Sequence, residues 1–100
     1  MSSKPLLNQY LEDFKNDPEL IAEGLKLDIT EDICRIMKAK NMNRSQLAER
    51  MQTSSAYITK VLRGNVNLTL LSIAKFAIAL DTPVEDLFRL VVKQNKKVAV

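Results

Sequence analysis

Residues 40–66 carry a concentration of cationic side chains of the kind that binds phosphate groups. Five cations and one anion lie in this stretch, a net charge of +4. The cations are Lys40, Arg44, Arg50, Lys60 and Arg63, and the anion is Glu49. Lysine and arginine are the main protein ligands of the nucleic-acid backbone, so the charge indicates a polyanionic partner.

The same stretch divides into two short amphipathic helices joined by a polar turn. Apolar residues recur at helical spacing in each half, so each predicted helix has one apolar stripe. The stripes are Leu47, Ala48 and Met51 in the first helix, and Ile58, Val61 and Leu62 in the second. Asn43 and Gln46 form a capping-box pattern, Ser54 can cap the second helix and Gly64 can end it. This is the layout of a helix-turn-helix, whose second helix enters the DNA major groove; a plain helical hairpin is the alternative.

The outward face of the second helix predicts which residues contact DNA. Small side chains let a helix approach base edges, and cations can reach guanine or phosphate. The predicted base-reading residues are Ser55, Ala56, Thr59 and Lys60, and the predicted phosphate contacts are Arg44, Ser54, Tyr57 and Arg63. Two alternatives stay open: a solvated surface of small residues for the base-reading face, and a packing role for Tyr57.

The sequence also resembles a known family, the phage-repressor/Cro-type (XRE-like) helix-turn-helix domain, over roughly residues 28–90. The resemblance is carried by Leu47-Ala48, Ser54, Ile58, Arg63-Gly64 and Asn67-Leu68-Thr69-Leu70. It implies a compact five-helix, lambda-repressor-like DNA-binding domain. Three positions depart from the family pattern: Arg44 replaces a Gln that anchors phosphate and base, Gln52 replaces the turn Gly, and Leu62 replaces a frequent Glu. Without the turn Gly, a different turn backbone is expected.

Composition argues against enzyme chemistry. The chain has 100 residues, no His and one Cys, so it cannot build a His-based triad or a His/Cys zinc site. Paired carboxylates such as Asp28 with Asp32 are interpreted as solvated faces near helix starts, and Cys34 as a small buried residue. We expect no enzyme activity, no cofactor and no metal. The sequence has no signal peptide and no bilayer-length apolar segment, so a cytoplasmic protein is expected.

The remaining pattern predicts an all-α fold with one or two extra N-terminal helices. A short helix is expected over residues 6–14, another from Asp17-Pro18 to about Gly24, and a third capped by Asp28 that runs to about Lys40. After the helix-turn-helix, Thr69 caps a helix apolar on most sides, which places it in the middle of the domain. Thr82-Pro83-Val84-Glu85 has the pattern of a capping box for the last helix. The predicted units are an N-terminal extension (1–27), the DNA-binding domain (28–90) and a basic tail (91–100), which is either a frayed terminus or an extra contact with phosphates or a partner.

These features predict a sequence-specific DNA-binding transcriptional regulator, a repressor that binds a two-fold operator on double-stranded DNA as a homodimer. Candidate dimer surfaces are the last helix, with Leu87, Phe88 and Val91, and the N-terminal helices. The alternative function is that of an antitoxin, in which residues 1–27 bind a toxin protein and the helix-turn-helix represses its own promoter. Under the first hypothesis those residues only cap the domain. A third hypothesis keeps the helix-turn-helix as a protein scaffold without DNA binding.

Overall fold

The computed structural model describes residue 12 and residues 15–88, and that part of the chain is all-helical. It contains α1 (Pro18–Ala39), α2 (Arg44–Met51), α3 (Ser55–Leu62) and α4 (Leu70–Ala79), followed by a 3-10 helix (Val84–Phe88). The all-α class is therefore confirmed. The fifth helix is a short 3-10 segment, and in place of the expected capping box the Thr82 hydroxyl donates to the Asp86 carboxylate at 3.1 Å. The predicted helix over residues 6–14 and the basic tail lie outside the described residues, Glu12 excepted.

Each α-helix begins at a predicted capping residue. Asn43 accepts from the Gln46 amide at 2.8 Å, and the Gln46 side chain accepts from the Asn43 amide at the same distance. Thr69 and Ser72 form a second reciprocal pair at the start of α4. Asp17 and Ser54 each accept from amides in the first turn that follows. These bonds satisfy amide groups without an intrahelical partner, and they fix where α2, α3 and α4 begin.

The helix break predicted between Gly24 and Asp28 is absent, because α1 is continuous through both residues. One helix of 22 residues replaces the two expected, and Gly24 and Asp28 both lie inside it, buried. A helix-interior glycine costs only about 1 kcal/mol relative to alanine, less than the packing of a long helix contributes. Asp28 and Asp32 are 3% and 1% exposed, so the expectation of a solvated carboxylate face is wrong for them. The domain boundary predicted at residue 27 falls within α1 and stays a prediction.

The core draws on every helix, and it holds the helix-turn-helix against α1. The fully buried side chains are Phe76, Ile33, Leu47, Ile58, Leu80, Leu87, Val61 and Asp32. α2 and α3 pack on each other, α3 also packs on α1, and α2 packs on α4. Because Leu47 and Ile58 are buried with no exposed surface, the two helices of the motif have one relative orientation.

All four α-helices end in the same backbone motif. In α3, the Asn65 amide donates to the Lys60 carbonyl and the Gly64 amide donates to the Val61 carbonyl, both at 2.9 Å. This Schellman pattern requires a left-handed residue just after the helix. The left-handed residue is Asn41 after α1, Gln52 after α2, Gly64 after α3 and Asp81 after α4. Gln52 thus adopts, with a φ of 57°, a conformation that glycine takes without strain, so the turn forms without the glycine that the resemblance led us to expect.

Replacing Gln52 with glycine is expected to stabilise the domain. A left-handed residue with a side chain costs about 1–2 kcal/mol, and glycine removes this cost. Glycine also has more conformational entropy in the unfolded chain, which offsets part of the gain, so the free energy of unfolding is expected to rise by about 0.5–1 kcal/mol. Urea unfolding of both proteins measures it. Gly64→Ala is the reverse control, because the added Cβ meets nothing within 4 Å and only the φ of 76° opposes it. A destabilised Gln52→Gly protein would contradict the argument.

The outer face of α4 departs from the expectation of a helix in the middle of the domain. Ile73, Phe76, Ala77 and Ala79 are buried, as predicted. Leu70, Leu71 and Ile78 are instead 81%, 65% and 80% exposed. The reason is that α4 packs mainly against α2 and the 3-10 helix, which cover one side of it. Conversely, Leu87 is fully buried and cannot form the dimer surface predicted for it.

Cys34 lies on the outer side of α1 rather than in the core. Partial desolvation raises the pKa of its thiol, and the cations of Arg44 and Lys38 oppose that rise while Glu31 adds to it. A raised pKa keeps the thiol protonated and poorly reactive near neutral pH.

The described residues hold neither a membrane span nor a metal site. No helix in residues 15–88 has the length and apolar character to cross a bilayer. Within the same part of the chain, no three His, Cys, Asp or Glu side chains come together as metal ligands.

Candidate nucleic-acid interface

The four predicted base-reading residues share one side of α3. Ser55, Ala56 and Lys60 are exposed, and Thr59 is half-buried. The opposite side of α3 carries Ile58 and Val61 into the core. Because the buried side is fixed by packing, the small residues at the start of α3 face outward on a rigid helix. The predicted face therefore exists as a surface, and its contact with bases stays a prediction.

A hydrogen bond links this face to the start of α2. Nη1 of Arg44 donates to the Thr59 hydroxyl at 3.2 Å, across 15 residues of sequence. A guanidinium has five N–H donors, so the donors that remain can bind an external acceptor. The guanidinium of Arg44 therefore lies beside the outward face of α3, although Arg44 belongs to α2. Thr59 was predicted to read bases and Arg44 to bind phosphate, but their direct contact was not predicted, because it depends on how α2 crosses α3.

The other three residues predicted to contact phosphate differ in their burial and their hydrogen bonds. The Ser54 hydroxyl accepts from the Tyr57 amide at 3.1 Å, so its first role is to cap α3. Tyr57 is half-buried and packs against the core, as the packing alternative expected. Arg63 is exposed at the end of α3. These positions leave a phosphate contact available to all three, and nothing in the fold tests it.

The starts of α2 and α3 are electrostatically suited to anions. Neither helix has an acid in its first turn, whereas α1 has Glu19 there. The amide end of a helix carries partial positive charge, which an acidic side chain or an external anion can complement. In α2 this end holds Arg44 as well, a placement that the helix dipole disfavours and that a phosphate would offset.

Two of the cations counted in the sequence bind the protein itself. Nζ of Lys40 donates to the Asp81 carbonyl at 2.6 Å, and Nη1 of Arg50 donates to the Ala79 carbonyl at 3.2 Å. Both carbonyls lie at the end of α4, where cations complement the helix dipole. The Arg50 bond ties the end of α4 to α2, and the Lys40 bond ties it to the end of α1. The other three cations of this stretch are Arg44, which bonds to Thr59, and the exposed Lys60 and Arg63.

One cation beside α3 was not predicted from the sequence. Lys75 of α4 lines a surface cleft together with Thr53 of the turn, Tyr57 of α3, and Thr69 and Ser72. It lies 18 positions after Tyr57 in a helix that was expected to be buried, so no local pattern indicated it. The only signal was an isolated lysine in an otherwise apolar helix.

Comparisons with known proteins agree with this geometry. The model of the Cro/C1-type HTH DNA-binding domain matches residues 32–93. Among solved structures, the restriction-modification controller protein C.AhdI from Aeromonas hydrophila is 27% identical with a TM-score of 0.58, covering 62% of this chain and 94% of that one. The wild-type restriction-modification controller protein C.Esp1396I is 25% identical with a TM-score of 0.63, covering 69% and 88%. No curated protein sequence matches the chain.

The family match covers more than half of the chain and includes the whole of α2, α3 and α4. It therefore contains the capped helix pair, the outward face of α3 and the contact between Arg44 and Thr59. On this evidence the chain belongs to the Cro/C1-type helix-turn-helix DNA-binding family.

Proposed function

We propose that the protein is a sequence-specific transcriptional repressor that binds a two-fold operator as a homodimer. The observation that carries the proposal is the outward face of α3, small at its start and cationic towards its end, with Arg44 bonded to Thr59. Such a face fits the major groove, where short side chains approach base edges and cations meet guanine or phosphate. The solved controller proteins that share the fold support regulation of transcription as the class of function.

Base recognition is assigned to Ser55, Ala56, Thr59 and Lys60. The methyl groups of Ala56 and Thr59 can touch a thymine methyl, and Lys60 can donate to guanine O6 or N7. The half-site is therefore expected to contain at least one T and one G opposite α3. Since none of these four side chains is an ideal bidentate reader, DNA shape carries part of the specificity.

The dimer follows from the small area of one helix in a groove. A single domain of this size binds operator DNA weakly, and two copies related by a two-fold axis read half-sites about 10 base pairs apart. A palindromic operator that overlaps a promoter would make the bound protein a repressor. A promoter–reporter assay with and without the protein checks the direction of regulation.

Selection of bound DNA from a randomised library tests the proposal. The wild-type protein is expected to enrich a palindrome, and Thr59→Ala and Lys60→Ala are expected to relax its base preference at one position in each half-site. A library that shows no enrichment at low salt would contradict DNA recognition by sequence. If both variants kept every wild-type preference, α3 would not be the reader.

Arg44→Ala is expected to reduce the salt dependence of DNA binding. Removing one cation that binds a phosphate changes the slope of log K against log salt by about 0.9 per copy, through counterion release. Tyr57→Phe is the control, because it removes a hydroxyl without removing charge and keeps the packing of the ring. We expect weaker binding with an unchanged slope for Tyr57→Phe. An unchanged slope for Arg44→Ala would remove Arg44 from the phosphate contacts.

The antitoxin alternative assigns toxin binding to residues 1–27, of which the structure describes Glu12 and residues 15–27. No feature of α1–α4 favours a toxin partner. That alternative therefore stays a prediction from the sequence, as does a phosphate contact by the basic tail. A small toxin-like reading frame next to the gene is the observation that would support it.

A further inference from the structure

The outward side of α4 carries an apolar surface that the described residues leave uncovered. We term it the α4 stripe, defined by Leu71, Ala74 and Ile78. Leu71 is 65% exposed, Ile78 is 80% exposed, and Ala74 between them is exposed as well. Residues three, four and seven apart lie on one side of a helix, so the stripe is continuous. An exposed apolar strip of this kind marks an interaction surface.

We propose that the α4 stripe is the surface through which two copies of the chain pair about a two-fold axis. The inference rests on the proposed function, because a two-fold operator requires two symmetrically related copies. Of the three residues predicted for a dimer surface on the last helix, Leu87 is fully buried and cannot contribute to it.

The order of residues in the α4 stripe favours a second copy as its occupant. In a two-fold interface the same patch meets itself in the reverse direction. The stripe is large, small and large in sequence, so Leu71 of one copy lies against Ile78 of the other, and the small Ala74 residues meet near the axis. Lys75 is the one charged residue of α4, and its flexible stem can carry the ammonium to the solvent edge. The stripe is therefore self-complementary in size, and the two Lys75 ammonium groups must turn away from the axis.

The surface beside Ile78 provides a receptor for the opposing leucine. A shallow hollow is lined by Ala77, Ile78, Asp81, Thr82 and Pro83. In the antiparallel arrangement, Leu71 of the second copy lies over this hollow. The reciprocal contact forms at the other end of the pair, so the symmetry fills both hollows.

The α4 stripe also borders the helix-turn-helix. Leu71 and Lys75 line the same cleft as Tyr57 of α3 and Thr53 of the turn. Pairing through the stripe therefore sets the two α3 helices in a fixed relation. The interface is small, because two ten-residue helices bury much less than the about 800 Å² per partner of a standard interface. A weak dimer in solution is expected, which DNA with both half-sites reinforces.

Sedimentation equilibrium of the full chain tests the stripe with Ile78→Glu. The average mass of the wild-type protein should rise with concentration towards twice the monomer mass, and the variant should remain a monomer. Leu27→Glu is the matched control, because it places the same charge on a leucine of α1 that is 58% exposed. On DNA, Ile78→Glu should bind an isolated half-site as wild type does, and it should bind the full palindrome at least tenfold more weakly than wild type.

A cross-linking measurement keeps the test decisive if the glutamate variant fails to fold. In a Cys34→Ser background, a short bismaleimide should join two chains that carry Ala74→Cys, and it should not join chains that carry Ala22→Cys on α1.

If the wild-type and Ile78→Glu proteins dimerised equally, the assignment of the dimer interface to the α4 stripe would be wrong, although the dimer itself would be supported. If the wild-type protein were a monomer both in solution and on the full palindrome, the stripe and the dimer would both be wrong. If it selected no DNA sequence but dimerised through Ala74, only the proposed function would fail.

Discussion

Ala56→Glu is expected to abolish operator binding without destabilising the domain. Ala56 is exposed in the first turn of α3, which holds no acid. A glutamate there complements the helix dipole and stabilises the helix by about 0.3–1 kcal/mol. The same carboxylate lies on the face proposed to enter the groove, where repulsion by phosphates costs several kcal/mol. We expect at least about a 100-fold loss of affinity, which corresponds to about 2.7 kcal/mol.

Two measurements on the same protein check this result. Thermal unfolding should give a melting temperature equal to or above that of the wild type, and titration of a labelled operator should give the loss of affinity. Leu27→Glu changes the net charge equally on exposed α1 and should bind DNA nearly as well as the wild type. Operator binding by Ala56→Glu at wild-type affinity would show that the start of α3 does not face DNA.

Phe76→Ala is expected to have the largest effect on stability. Phe76 heads the fully buried side chains by volume, and it joins α4 to the core that supports α2 and α3. Truncating a buried phenylalanine to alanine costs about 3–5 kcal/mol, a large share of the about 5–15 kcal/mol that stabilises a typical domain. Urea unfolding measures the loss, and DNA binding should fall with the folded fraction. Phe76→Leu, which keeps most of the volume, should lose much less; equal losses would contradict the packing argument.

Features of the fold that depend on neighbouring residues were predictable from sequence. Asn43, Ser54 and Thr69 cap their helices because each hydroxyl or amide oxygen meets an amide three positions later. Gly64 ends α3 because that position requires a positive φ. Such bonds join residues close in sequence, so the order and limits of α2, α3 and α4 were predictable from pattern, whereas the capping-box pattern Thr82–Glu85 gave only a 3-10 helix.

Features that depend on tertiary packing were not predictable in the same way. Gly24 and Asp28 have the residue types of a helix break, but the buried side of α1 keeps the helix continuous through both. Ile78 and Cys34 have the residue types of a core, yet both lie outside it, because within residues 15–88 no other helix covers those sides. Local sequence shows which residues prefer burial. It does not show whether the other helices have enough surface to cover all of them.

In the candidate site, too, the local features were predictable and the tertiary contacts were not. The outward face of α3 was predicted from helical spacing, and the structure places Ser55, Ala56 and Lys60 on the surface. The hydrogen bond from Arg44 to Thr59 was not predicted, since it depends on the crossing of two helices.

The bonds from Lys40 and Arg50 to the end of α4 limit how the protein searches a genome. Bonded to backbone carbonyls, these two cations keep their charge but are held in place, and they are not free to follow the phosphates of random DNA. Nonspecific affinity comes almost entirely from such charges, so a single copy is expected to leave random DNA quickly. A long residence time then requires two copies on two correctly spaced half-sites. The bonds that fasten α4 in place would thereby shorten the time spent on the wrong DNA.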